Sequence, residues 1–192
     1  MQYPLVEIAT AAIFLQIFNF QFSTFNRLNF FSLVYLIVSF SFLIVIFVYD
    51  LKHYIIPNKV IYPAIALALI YNLFFYGIFN QNFSRFYISL LAGLGAALPF
   101  FLIVAVSRGK WMGGADIKLA FFMGLFLGWP NILPALFLAF VIGALFGLSL
   151  IALKQKTLKS EIPFAPFLIS GTFIAFFWGG QIINWYASLF LI

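Results

Sequence analysis

No cysteine occurs among the 192 residues of this chain, and there is a single histidine, His53. The first absence excludes a disulfide framework and a thiolate metal site. The second excludes a histidine-based zinc centre, which draws on several imidazoles. Charge is scarce as well: 7% of residues are charged and 66% hydrophobic, whereas soluble domains carry roughly 25% charged residues. The chain therefore reads as an integral membrane protein. Carboxylates are the scarcest charge, four in all: Glu7, Asp50, Asp116 and Glu161. No basic segment precedes the first apolar stretch, so the start reads as a retained first span rather than a cleaved signal peptide.

Long apolar runs are what the sequence has in quantity, and a bilayer-crossing helix takes about 20 such residues. The runs predict an all-α polytopic bundle of about seven transmembrane helices, forming one membrane-embedded domain over residues 1–192. The expected helices are 4–20, 30–49, 57–79, 85–106, 115–129, 132–153 and 163–191, the fifth short for a span. With the N-terminus inside, the inner loops carry Lys52, Lys59, Arg108, Lys110, Lys118, Lys154, Lys156 and Lys159, and the outer loops only Arg27 and Arg85. That bias sets orientation. The net charge of +6 is then a topology signal and a contact with anionic lipid, not a nucleic-acid surface. The same orientation puts all four carboxylates at the cytoplasmic face, Glu7 about one turn inside the first helix.

A carboxylate beside a membrane span is costly and marks a candidate functional site. Asp116 stands in Trp111-Met112-Gly113-Gly114-Ala115-Asp116-Ile117-Lys118, directly before an apolar run. Asp50 opens Asp50-Leu51-Lys52-His53-Tyr54-Ile55-Ile56-Pro57-Asn58. A third segment, Ile162-Pro163-Phe164-Ala165-Pro166-Phe167, precedes the last helix. Each has a plain structural reading. Asp50 closes a helix at the interface, Asp116 is a helix N-cap, Gly113 and Gly114 loosen a loop, and Lys118 snorkels. Pro57 and Asn58 fix the entry of the third helix, and Pro163 and Pro166 start the last one. His53 is an interfacial loop residue, and Glu7 pairs with a loop lysine. Gly124-x-x-x-Gly128 and Gly143-x-x-x-Gly147 permit close helix contacts.

In this order and spacing, the three segments resemble the type IV prepilin peptidases, membrane aspartyl proteases with a Gly-x-Gly-Asp motif. Tyr3-Pro4-Leu5-Val6-Glu7 is similar to the stretch that in full-length bacterial members follows a cytoplasmic domain. The likeness covers nearly the whole chain, with Ala115 where the family motif has glycine. It implies that Asp50 and Asp116 are catalytic and that Gly113, Gly114, Lys118, Pro57, Asn58, Pro163 and Pro166 shape the site. It implies a prepilin or pseudopilin substrate, whose basic leader is cleaved after a glycine at the cytoplasmic boundary, in the bacterial plasma membrane. It implies no metal, no cofactor and no nucleic-acid partner, and leaves oligomeric state open. The family's N-terminal cytoplasmic zinc domain, associated with N-methylation from S-adenosylmethionine, has no counterpart here, so the resemblance does not carry N-methyltransferase activity over.

The chemistry asks for one ionised and one protonated carboxyl, the first taking a proton from water and the second donating to the scissile carbonyl. Like charges held close cannot both ionise, so the pair shares a proton. By helix ends, Asp116 at a helix start favours ionisation, making it the base, and Asp50 at a helix end favours protonation, making it the acid. Two other classes compete. A transporter also uses intramembrane carboxylates, with polar groups near mid-bilayer and internal repeats. A Mg²⁺-dependent lipid-processing enzyme uses clustered carboxylates, and no Asp-x-x-Asp occurs in this sequence.

Overall fold

In lipid a backbone has no water to bond, so a long apolar run satisfies its N–H and C=O groups internally as helix. A computed structural model of the chain describes residues 2–22, 27–153 and 162–189. These form seven α-helices: α1 (Gln2–Phe22), α2 (Arg27–His53), α3 (Asn58–Tyr71), α4 (Phe83–Ser107), α5 (Gly114–Leu127), α6 (Ile132–Ala152) and α7 (Ala165–Ser188). No strand occurs among the described residues. Among the described residues, five stretches are long and apolar enough to cross a membrane: Phe30–His53, Asn58–Phe79, Phe83–Ser107, Ile132–Ala152 and Ala165–Ser188. The protein is thus an all-helical, multi-pass membrane protein. α5, with 14 residues, rises only about 21 Å and falls outside those five spans.

The chain divides into two compact units, Met1–Val45 and Ile46–Ile192. The first holds α1 and most of α2, with Ile17, Leu36, Phe40 and Leu43 buried; Glu7 is exposed on α1. The second holds the last turns of α2 and everything after. In it α4 packs on α5, α6 on α7, and α3 and α7 also touch α5. α5 is the central element, with Leu119, Ala120, Phe122 and Met123 fully buried. Its contact with α4 is backbone against backbone. A Cβ added at Gly124 would run into the Ala92 carbonyl and the Gly93 Cα. The helix then stops at Gly128, whose φ of 66° and ψ of −177° belong to glycine alone.

The segment Asn72–Phe79 continues α3 as a π-helix. Asn72, buried at its start, donates from its amide to the Ala68 carbonyl at 2.8 Å and the Leu125 carbonyl at 3.1 Å. This ties the wider turn to α5 and satisfies a polar group that burial would otherwise penalise.

Helix ends differ from the sequence-based expectation where function is concerned. α2 continues through His53, so Asp50 lies inside its last turn rather than ending it, and Lys52 and His53 are helical, not loop residues. Pro57 is the N-cap of α3; its carbonyl accepts from the N–H groups of Val60 and Ile61 at 3.0 and 3.1 Å. α7 starts at Ala165, so Pro163 precedes it and Pro166 sits in its first turn. Glu161, Lys154, Lys156 and Lys159 lie outside the described residues.

Candidate active site

The end of α2 is fixed by its own backbone. Tyr54 takes a left-handed conformation, φ 57°, and donates its N–H to the Asp50 carbonyl at 2.8 Å. Ile56, 4% exposed, anchors the following residues in the core. Asp50 is itself buried at 5% exposure. The Ala165 backbone N–H, at the start of α7, hydrogen-bonds its carboxyl. Its Oδ2 is fully buried and has no hydrogen-bond partner among the described residues. A buried carboxylate oxygen without a partner is expensive and is the kind of exception that points to a function.

The loop between α4 and α5 is shaped by another left-handed turn. Arg108 and Gly109 have φ of 52° and 76°, and Gly109 donates its N–H to the Val104 carbonyl at 2.9 Å. The buried hydroxyl of Ser107 accepts from the Trp111 N–H at 3.4 Å. The chain then enters α5 with Gly113 as N-cap and Asp116 in the first turn. Gly113 has φ −77° and ψ 147°, a conformation open to any residue. A Cβ at Gly114 would meet nothing within 4 Å. These glycines are therefore not demanded by backbone strain, contrary to the reading from freedom of conformation. What they leave is bare backbone facing the cleft.

The third wall comes from the segment before α7. Phe164 packs on Phe100 and Phe140 with ring centroids 6.1 and 5.3 Å away. Phe100 is fully buried, so α4 and α6 hold this segment in place through one aromatic cluster, which fixes Pro163 beside the cleft.

The three walls enclose an open cleft of about 1190 Å³. Asp50 and Asp116 both line it, with Tyr54, Lys110, Gly113, Gly114 and Pro163 among its other lining residues. Asp116 is half-buried. Its carboxyl is pushed up to about 7, by burial first and by the Asp50 charge second. This reverses the direction read from the helix dipole. A helix N-terminus offers an anion roughly 0.3–1 kcal/mol, less than one pH unit at about 1.4 kcal/mol each, and desolvation and the second carboxylate outweigh it.

Of the residues singled out from the sequence, the cleft thus gathers Asp50, Asp116, Gly113, Gly114 and Pro163. Pro57, Asn58, Lys118 and Pro166 are not among its lining residues. Pro166 is buried in the first turn of α7, where its carbonyl accepts from the Ser170 hydroxyl at 2.8 Å. Lys118 faces α3, its Nζ donating to Asn58 Oδ1 at 2.8 Å. Sequence reasoning missed Tyr54, Lys110 and Phe164 as lining residues. Their nearness to the motifs was visible, but the left-handed turns that aim the loops were not. Among the described residues no group of three His, Asp or Glu side chains gathers as a metal site would require.

A family model described as the type IV leader peptidase family matches residues 37–148, a span that includes both aspartates. The prepilin leader peptidase/N-methyltransferase of Legionella pneumophila is 29% identical over 197 residues, spanning 100% of this chain and 64% of its own length. The protein of the same name from Aeromonas hydrophila is 29% identical over 191 residues, 99% of this chain and 63% of its own. That from Bacillus subtilis (strain 168) is 28% identical over 195 residues, 98% of this chain and 71% of its own. The chain spans slightly less than two thirds of the first two relatives. No solved structure matches it.

Proposed function

Since the chain belongs to the type IV leader peptidase family, we propose that it is a membrane aspartyl endopeptidase that cleaves the basic leader of prepilins or pseudopilins after a glycine. The observation that carries this is the meeting of two carboxylates, from α2 and α5, in one cleft, with Asp50 acting electrostatically on Asp116.

The pair shares one proton, which we assign to Asp116, whose carboxyl is pushed up to about 7 by burial and by the Asp50 charge. Ionised Asp50 takes a proton from water as the water oxygen attacks the scissile carbonyl carbon. Protonated Asp116 donates to the carbonyl oxygen, giving a gem-diol. In the second step a gem-diol hydroxyl returns its proton to Asp116 and Asp50 delivers its proton to the peptide nitrogen. The C–N bond breaks, and the starting protonation is restored. The bare backbone at Gly113 and Gly114 gives an extended substrate room to lie against the base of α5. Asp50, Asp116, Gly113, Gly114 and Pro163 form the site. Pro57, Asn58, Lys118 and Pro166 support it from behind. No metal or cofactor enters the scheme. The cleft opens to the cytoplasmic face of a bacterial plasma membrane, where a leader and its following apolar helix meet the bilayer surface.

The test is cleavage of a prepilin-like substrate by the purified protein. Asp50→Asn and Asp116→Asn each abolish cleavage while the thermal unfolding midpoint shows a folded protein, and wild-type cleavage survives EDTA. Near-normal turnover in either variant overturns the dyad. Activity lost in EDTA and restored by Mg²⁺ favours instead a metal-dependent lipid-processing enzyme.

A further inference from the structure

Asp116 and Lys118 are two residues apart on α5, which turns them about 200° from each other at 3.6 residues per turn. Asp116 faces the cleft. Lys118 faces α3, where Nζ lies 2.8 Å from Asn58 Oδ1 and 4.7 Å from the centre of the Tyr62 ring. Asn58 and Tyr62 are four apart on α3, hence on one face, and together they bracket the ammonium with an amide oxygen and an aromatic face. Both contacts suit a cation.

What Asn58 is joined to gives this contact its interest. It is the first residue of α3. The preceding segment, 54–57, is fastened at its start by the Tyr54 N–H on the Asp50 carbonyl and in its middle by buried Ile56. Its far end is where Lys118 takes hold. The two aspartates sit on helices that connect through this short path: Asp50, Tyr54, Asn58, Lys118, Asp116. The two motifs each end in the residue that ties it to the other.

We infer that Lys118 and Asn58 are positioning residues that set the separation of the two catalytic carboxyls from the side of α5 opposite the cleft, without touching substrate. The inference rests on the proposed aspartyl mechanism. An error of about 1 Å in a reacting pair costs on the order of a hundredfold in rate. A mispositioned dyad therefore lowers kcat, and an unaltered cleft leaves KM in place.

The experiment uses the full chain in detergent micelles and a synthetic peptide carrying a basic leader, the glycine and the first apolar residues after it. Lys118→Met and Asn58→Ala each lower kcat about tenfold or more, with KM within about twofold. The double variant is no worse than the poorer single, because both remove one link. Asn58→Asp, which keeps an oxygen for the ammonium, restores most of what Asn58→Ala loses. Asn58→Ala leaves every charge in place, so its loss is not a long-range effect of the lysine charge on Asp116. The inference is overturned if Lys118→Met turns over like wild type, if the single effects multiply in the double variant, or if Asn58→Asp is as slow as Asn58→Ala. Should Lys118→Met fail to fold, the comparison of Asn58→Ala with Asn58→Asp decides alone. An active Asp116→Asn refutes the aspartyl reading itself; an inactive Asp116→Asn beside a fully active Lys118→Met refutes only the positioning link.

Discussion

The first turn of α5 brings Asp116 near the positive end of a helix, yet half-buries its carboxyl beside Asp50. The second circumstance prevails and has two consequences with a defined sign. In the proposed mechanism cleavage needs the Asp116 proton, which predicts a rate that falls as pH rises through about 7, approaching tenfold per unit above it. A profile of kcat/KM against pH that stays level from pH 6 to 9 contradicts this. Stability moves the same way. Asp116 holds its proton up to about 7 in the folded chain, against 3.8 for the ordinary group, so the folded state carries the extra proton between those values. Its contribution is fully present below 3.8 and is lost as pH rises toward 7. Asp116→Asn removes that dependence. Its thermal midpoint exceeds the wild-type midpoint at pH 8 and the gap closes near pH 4; a gap equal at both pH values rules the explanation out. At this scale the two carboxylates that line the cleft were legible in the sequence through the resemblance of the segments that hold them, since cost in so apolar a chain marks all four carboxylates alike. The upward shift of the Asp116 carboxyl was not legible there. A dipole is a property of one helix, whereas desolvation depends on walls that α2, the α4–α5 loop and the segment before α7 build together.

At the scale of elements, α5 is held so closely that its own sequence hardly explains it. Gly124 lets α5 rest on the backbone of α4, and Gly171 does the same for α7 on α6, where an added Cβ would meet the Ala135 carbonyl. Neither neighbour is a flexible side chain able to swing away. Gly124→Ala and Gly171→Ala therefore force the helices apart, each at a cost of about 1–3 kcal/mol, read as a lower thermal midpoint. Gly114→Ala, with open space around its Cβ, leaves the midpoint unchanged. Equal midpoints for Gly124→Ala and Gly114→Ala contradict the packing account. The apolar runs disclosed the helices themselves to within a few residues, since lipid-facing helix needs little beyond length and hydropathy. The π-helical Asn72–Phe79 was not legible. It rests on where the Asn72 amide meets the Leu125 carbonyl, a contact across 53 residues that no local pattern encodes. The Gly124 spacing was visible as a motif, but not that its partner is α4.

For the whole molecule, the order of the spans fixes which loops share a side. Two long helices, Asn58–Phe79 and Phe83–Ser107, separate residues 54–57 from residues 108–113. Two crossings return the chain to the side it left, so both segments belong to one face, and both contribute to the cleft through Tyr54, Ile55, Ile56 and residues 109–113. Residues 80–82, between those spans, fall on the other face. Lys52, Lys59, Arg108 and Lys110 cluster toward the cleft end of the spans, and Arg85 lies beside the opposite loop. Lys and Arg are retained on the cytoplasmic side, which predicts that the cleft faces the cytoplasm. The chain contains no cysteine, which makes the prediction direct to check: each introduced thiol is the sole reactive one. A single cysteine at Lys110 or Tyr54 is reached by a membrane-impermeant maleimide only after the membrane is opened, whereas one at Gln81 reacts in intact cells. Tyr54, Gln81 and Lys110 are exposed, so failure to label reports the bilayer and not burial. Labelling of Lys110 and Gln81 positions from the same side breaks the two-crossing topology. Labelling of Lys110 alone from outside keeps the topology but inverts it, moving the cleft away from the compartment where a basic leader is retained.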